Sequence, residues 1–232
     1  MDGVIVVDKP AGWTSHDAVR KVKSTLGAVK VGHLGTLDPM ATGVLPLVIN
    51  KATKFASALE GSIKIYTGRL KLGIETDSYD GDGRIVKEAD AGHVAEYMVT
   101  AVLQKMIGRI RQVPPMYSAI KIGGKPLYKL ARKGIVIERE PREVDVYSIE
   151  VLSMADCEAV FKVVCGKGTY VRSICHDAGL ALGCGAHLSG LRRTQSGVFT
   201  EDEAVSAEAG REVLSRALIP LEAALMRVKK SE

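Results

Sequence analysis

Apolar residues alternate between continuous runs and helical spacing along this chain, and the changes of rhythm mark its elements. Val4-Ile5-Val6-Val7 is a continuous run followed by Lys9-Pro10-Ala11-Gly12, which predicts a buried strand over residues 3–8 closed by a turn. Ala18, Val19, Val22 and Leu26 then recur at helical spacing, with Ser15 placed to cap the helix and Gly27 to end it. Residues 32–43 read GHLGTLDPMATG, where glycines, a proline and short polar residues predict an exposed, shaped loop. Strands are expected at 44–49 and 63–72 around a short helix at 52–59, and DSYDGDG at 77–83 is turn chemistry. Residues 93–108 predict an amphipathic helix whose apolar stripe is Val94, Tyr97, Met98, Ala101, Val102 and Met106, before Pro114-Pro115 ends the stretch. Further on, a strand at 117–122, a Gly123-Gly124 turn, a short helix at 128–133, strands at 144–152 and 159–164, a helix opening at Thr169 and a last helix at 212–228 complete the pattern.

Strands and helices intermingle without a regular βαβ rhythm, and several strands are separated by tight turns. The expected fold class is therefore α+β, with a mixed, largely antiparallel sheet and flanking helices. Hydrophobic residues at 46% and charged residues at 25% match ordinary globular chains and argue against disorder. The four cysteines, Cys157, Cys165, Cys175 and Cys184, include no close pair, which excludes a zinc ribbon or a redox CxxC and suits reduced thiols in the cytoplasm. No basic leader with an apolar run opens the sequence, and no apolar segment approaches membrane-spanning length. The net charge of +5 suits a polyanionic partner, with basic residues grouped at 20–30, 121–133 and Arg192-Arg193. On one face these would track phosphates; scattered, they are solvated charge.

Three segments carry candidate chemistry. Asp38 precedes Pro39, which pushes its backbone to an extended conformation and lets the carboxylate project, although an Asp-Pro in a loop ordinarily caps a turn. With Thr169 as helix cap, Arg172 falls in the first helical turn, where a cation meets the positive end of the helix dipole and calls for an anion; Asp38 is a candidate, bulk water the ordinary alternative. Lys64 and Tyr66 share one face of the 63–72 strand, a pattern of any half-buried strand, or else a stacking platform for a base beside a cation. His33 lies in the glycine-rich loop, where backbone can approach a ligand closely, but a lone loop histidine is ordinarily a surface residue. Cys184 and His187, three apart, have no second pair to complete a metal site.

Taken together, DKPAGWTSHDAV from Asp8, VGHLGTLDPMATGVLPL from Val31, IKIY from Ile63, ETDSYDGDG from Glu75, VPPMYSAIK from Val113, KGTYVRSICHDAG from Lys167 and LGCGAHLSGLRR from Leu182 resemble the TruB family of tRNA pseudouridine synthases, in family order. The resemblance implies an α+β catalytic domain over residues 1–210 with a cleft, acting as a cytoplasmic monomer on uridine 55 in the T arm of tRNA, with no cofactor, metal, membrane or protein partner. It matches Asp38 to the catalytic aspartate, Tyr66 to the tyrosine that stacks on the target base, and Arg172 to the arginine paired with the aspartate. His33 matches the histidine associated with the flipped nucleotide, and Lys9, Pro10, Lys64, Tyr170 and Leu191 match positions lining or supporting the cleft. Two departures stand out. Leu34 and Thr36 replace the GHTGALDP pattern frequent in bacterial members, and residues 211–232 are expected to be a helical extension, too short for the RNA-binding domain that commonly follows.

Overall fold

The computed structural model describes residues 1–118, 120–131 and 133–231. In chain order its elements are β1 (Gly3–Lys9), α1 (Ser15–Leu26), β2 (Val31–His33), β3 (Thr42–Ile49), a 3-10 turn (Asn50–Phe55), α2 (Ala56–Leu59), β4 (Ile63–Leu72), β5 (Ile74–Thr76), β6 (Ile85–Glu88), α3 (Glu96–Gln104) and β7 (Gly108–Gln112). They continue with β8 (Lys121–Ile122), β9 (Lys125–Pro126), α4 (Leu127–Ala131), β10 (Arg142–Ala155), β11 (Glu158–Gly166), α5 (Val171–Leu182), β12 (Ala186–Ser196), β13 (Phe199–Thr200), β14 (Val205–Ser206), α6 (Arg211–Arg216), β15 (Ile219–Pro220) and α7 (Leu221–Ser231). Two compact units form, residues 1–67 with 191–232, and residues 68–190.

In the first unit β1 is buried on both faces, as its unbroken apolar run requires. It pairs antiparallel with β3 from Gly3↔Ile49 to Lys9↔Gly43, parallel with β14 and antiparallel with β15. β2 lies antiparallel to β3, and β12 joins β3 in parallel at Arg192↔Thr42 and Arg193↔Gly43. Val4, Val6, Leu34, Val44, Val48, Leu59, Phe199 and Ala224 form one core. Ala224 comes from α7, so this helix contributes to the core of the first unit.

In the second unit the strand order is β11-β10-β7, with residues 68–72 of β4 beside β11. β10 and β11 make a long antiparallel hairpin closed by Asp156 and Cys157, both at positive φ (50° and 58°), the geometry of a tight two-residue turn matched to strand twist. Antiparallel pairing predominates, as the sequence predicts.

Several boundaries differ from expectation. Thr14, not Ser15, caps α1: its hydroxyl accepts from the Asp17 N–H, and the Asp17 carboxylate accepts from the Thr14 N–H. The glycine-rich segment is irregular only over 34–41, because β2 runs through His33 and β3 begins at Thr42. The helix expected at 93–108 spans Glu96–Gln104 and turns Val99 and Leu103 inward, leaving Tyr97 exposed. The helix expected at 212–228 is two helices broken around Pro220, whose missing N–H cannot continue a helix. Of the strand expected at 117–122 only Lys121–Ile122 is regular; Ala119 in that stretch, and Arg132 of the 121–133 basic group, lie outside the described residues.

Candidate active site

The irregular loop of the first unit is fastened at each residue flanking Asp38. Ser15, the first residue of α1, is buried on the same stripe as Ala18, Val22 and Leu26. Its Oγ donates to the Leu37 carbonyl at 3.1 Å and accepts from the Leu37 N–H at 2.8 Å. On the other side the Pro39 carbonyl accepts from the Gly12 N–H at 2.9 Å and from Lys9 Nζ at 3.2 Å. The Asp38 carbonyl itself accepts from the Ala41 N–H at 3.1 Å. Asp38 is therefore presented half-buried on a backbone pinned before and after it.

Lys9 is fully buried, and its ammonium also donates to the carbonyls of Pro10 (2.8 Å) and Trp13 (2.7 Å). Burial pushes its pKa down to about 8, against an upward pull led by the Asp38 carboxylate. His33 closes β2 just before the loop. Its pKa is lowered, first by burial and then by the charges of His16 and Arg193, so the ring is neutral at pH 7. The two histidine rings meet edge to face at 5.5 Å, and among the described residues His33 Nδ1 is buried without a hydrogen-bond partner.

Lys64 and Tyr66 do share one face of β4, and it is the buried face, with Ile63 exposed on the other. Lys64 Nζ donates to the carbonyls of Glu60 (2.7 Å) and Gly61 (3.3 Å) and to Ser196 Oγ (2.9 Å), so it anchors the entry to β4. Leu191 is half-buried in β12, its carbonyl 3.5 Å from Thr42 Oγ1.

In the second unit α5 opens at Val171 rather than Thr169. Tyr170 takes the cap position, and Gln112 brackets it, accepting from its N–H at 2.8 Å and donating to its carbonyl at 3.0 Å. Arg172 is thereby set in the first turn, 3% exposed. Its guanidinium donates to the carbonyls of Ser78 (3.2 Å) and Tyr117 (2.9 Å) and pairs with the Asp80 carboxylate at 3.3 Å. Asp80 belongs to the 77–83 turn and also accepts from Ser78 Oγ and the Asp82 N–H. A further tie joins the same turn to α5: the Tyr79 ring stacks on His176, centroids 3.7 Å apart.

The profile of the TruB family pseudouridylate synthase N-terminal domain matches residues 23–171, and that of the tRNA pseudouridylate synthase B C-terminal domain matches residues 172–226. The chain belongs to the TruB family. Among TruB relatives, a tRNA pseudouridine synthase B of Syntrophotalea carbinolica is 47% identical over 209 residues, covering 90% of this chain and 68% of the relative. That of Clostridium tetani is 46% identical over 233 residues, covering all of this chain and 81% of the relative. A solved Cbf5-Nop10-Gar1 complex contains a chain 35% identical with a TM-score of 0.75; the alignment takes in 97% of this TruB chain and only 62% of the other.

Residues that the sequence concealed do much of the fastening in this TruB chain. Ser15 was open to detection, because a polar residue continues the apolar stripe of α1 three residues before Ala18. Asp80 and Gln112 left no such trace. Of the expected basic faces, Arg192 is paired with Asp8 and Glu201, and Arg193 is 1% exposed, so this pair does not form a phosphate-tracking surface. The Cys184–His187 pair is turned to local bonds: Cys184 Sγ donates to the Gly185 carbonyl, and His187 Nδ1 lies 2.9 Å from the Ile74 carbonyl.

Proposed function

We propose that this chain is a tRNA pseudouridine synthase that isomerises uridine 55 in the T loop, with Asp38 as nucleophile. The observation that carries the reading is the immobilised loop, with Leu37 and Pro39 each held by buried donors so that the carboxylate between them is aimed before substrate arrives. The reaction breaks the N1–C1′ bond, turns the uracil and joins C5 to C1′, with the C5 proton lost to solvent and N1 regaining one. A nucleophile and a proton acceptor are enough for this. In this reading Asp38 attacks ribose C1′ or uracil C6, or takes a ribose proton, Tyr66 stacks on the extruded base and helps remove the C5 proton, and Arg172, besides its bond to Asp80, is the proposed partner of the aspartate. His33, Lys9, Pro10, Lys64, Tyr170 and Leu191 line or support the pocket. Extruding the base costs a few kcal/mol, and stacking on Tyr66 offsets about 1–3 kcal/mol of it. A tRNA substrate puts the work in the cytoplasm.

The test uses tRNA tritiated at uridine C5. Wild-type protein releases tritium and Asp38→Asn does not; release by the variant at the wild-type rate refutes the assignment. The likeness to Cbf5 in solved complexes favours a second reading, a synthase that needs a guide RNA and protein partners. Modification of a bare tRNA transcript by the isolated chain decides for the first reading.

A further inference from the structure

Arg193 is one of the largest side chains wholly inside the first unit. A buried guanidinium loses several kcal/mol of hydration, and an apolar residue of similar volume is commonly as stable or more so. Stability alone is therefore a weak reason for an arginine here, and its hydrogen bonds suggest a better one. Nε donates to the Val44 carbonyl at 2.8 Å and Nη2 to the Gly35 carbonyl at 3.0 Å. Gly35 lies three residues before Asp38 and Val44 six after it, so one rigid planar group spans the two ends of the loop.

Two glycines of the loop make room for this brace. Gly35 has φ +79°, and a Cβ there would lie 3.4 Å from Arg193 Nη1. Gly43 has φ +100°, and a Cβ there would come within 2.2 Å of the Arg193 carbonyl, at the point where β12 and β3 pair in register. The side chain is also felt by its neighbours: its charge lowers the pKa of both Lys9 and His33.

We propose that Arg193 is a positioning residue for the pseudouridine synthase reaction, fixing the separation of Gly35 and Val44 and through it the place of Asp38. This rests on the function proposed above. A lysine at 193 reaches only one of the two carbonyls and leaves the loop ends free to shift, and a misplacement of about 1 Å in a reacting group lowers rates about a hundredfold.

The experiment measures single-turnover tritium release, tRNA affinity by filter binding and thermal unfolding for wild type, Asp38→Asn, Arg193→Lys and Arg193→Met. At a temperature below all unfolding transitions, Arg193→Lys is expected to lose about tenfold or more in rate and Arg193→Met about a hundredfold, both binding tRNA within about twofold of wild type. If Arg193→Met does not fold, Arg193→Lys decides. A wild-type rate in Arg193→Lys with only a lower unfolding temperature makes the residue merely structural and overturns the inference. Weakened tRNA binding at an unchanged rate overturns it in favour of an RNA contact. Either result, beside an inactive Asp38→Asn, leaves the proposed function standing; a wild type that releases no tritium removes both.

Discussion

Replacing Ser15 by alanine deletes one oxygen that serves two backbone groups, the Leu37 N–H and the Leu37 carbonyl. Leu37 is 3% exposed, which leaves little room for water to take over both bonds. A buried backbone group without a partner costs about 1–3 kcal/mol, so Ser15→Ala should lose about 2–4 kcal/mol after the loop relaxes. The neighbouring hydroxyl provides the contrast. Thr14 is exposed and serves only the helix cap, so Thr14→Ala should lose about 1 kcal/mol. Activity separates the pair more sharply. Leu37 precedes Asp38, and loosening it should lower single-turnover tritium release by about a hundredfold, while the lost cap leaves the rate within about twofold. Urea unfolding followed by circular dichroism supplies the stabilities. Equal stability losses in the two variants, or a wild-type rate in folded Ser15→Ala, would refute the account of how the loop is held.

Lys9 titrates near about 8 in the folded chain against 10.5 ordinarily, so between those values the folded chain has released a proton that the unfolded chain keeps. Its contribution to stability therefore rises with pH across that window relative to Lys9→Met, while activity falls as a neutral amine offers two donors to three carbonyls. Urea midpoints and release rates of both proteins between about pH 7 and 10 check the opposed signs, and parallel trends refute them. Asp80→Ala removes the carboxylate that lies 3.3 Å from the buried Arg172 guanidinium and should cost about 3–5 kcal/mol in thermal unfolding; a loss below about 1 kcal/mol contradicts this. Cys157→Gly relieves a non-glycine residue at φ 58° in the β10–β11 turn and should raise stability by about 0.5–1 kcal/mol, measured by the same unfolding.

The strands were legible because apolar runs and turn residues act locally. The strand expected at 63–72 has those bounds in β4, and the run at 3–8 extends by one residue into β1. Helix faces were less legible. Residues 93–108 are apolar nearly all round, so several phases of the helical period fit, and packing against the unit chose Val99 and Leu103 over Tyr97. The break at Pro220 was written in the sequence but outweighed by the apolar spacing around it.

For the site, the motifs name candidate residues for the chemistry, but not what holds them, because an isolated polar residue is read by default as a cap or as surface charge. Ser15 and Arg193 were assigned in just that way, and both prove to be buried braces of the Asp38 loop. The physical reason is that their partners are backbone carbonyls and N–H groups, which every residue possesses and no sequence pattern distinguishes. Partners of this kind also leave the charge uncancelled. Lys9 and Arg193 donate to carbonyl dipoles and so keep their net positive charge inside the unit, where Lys9 feels the Asp38 carboxylate more strongly than any other charge. A loop held by buried cations in this manner is braced and at the same time attractive to the carboxylate it carries.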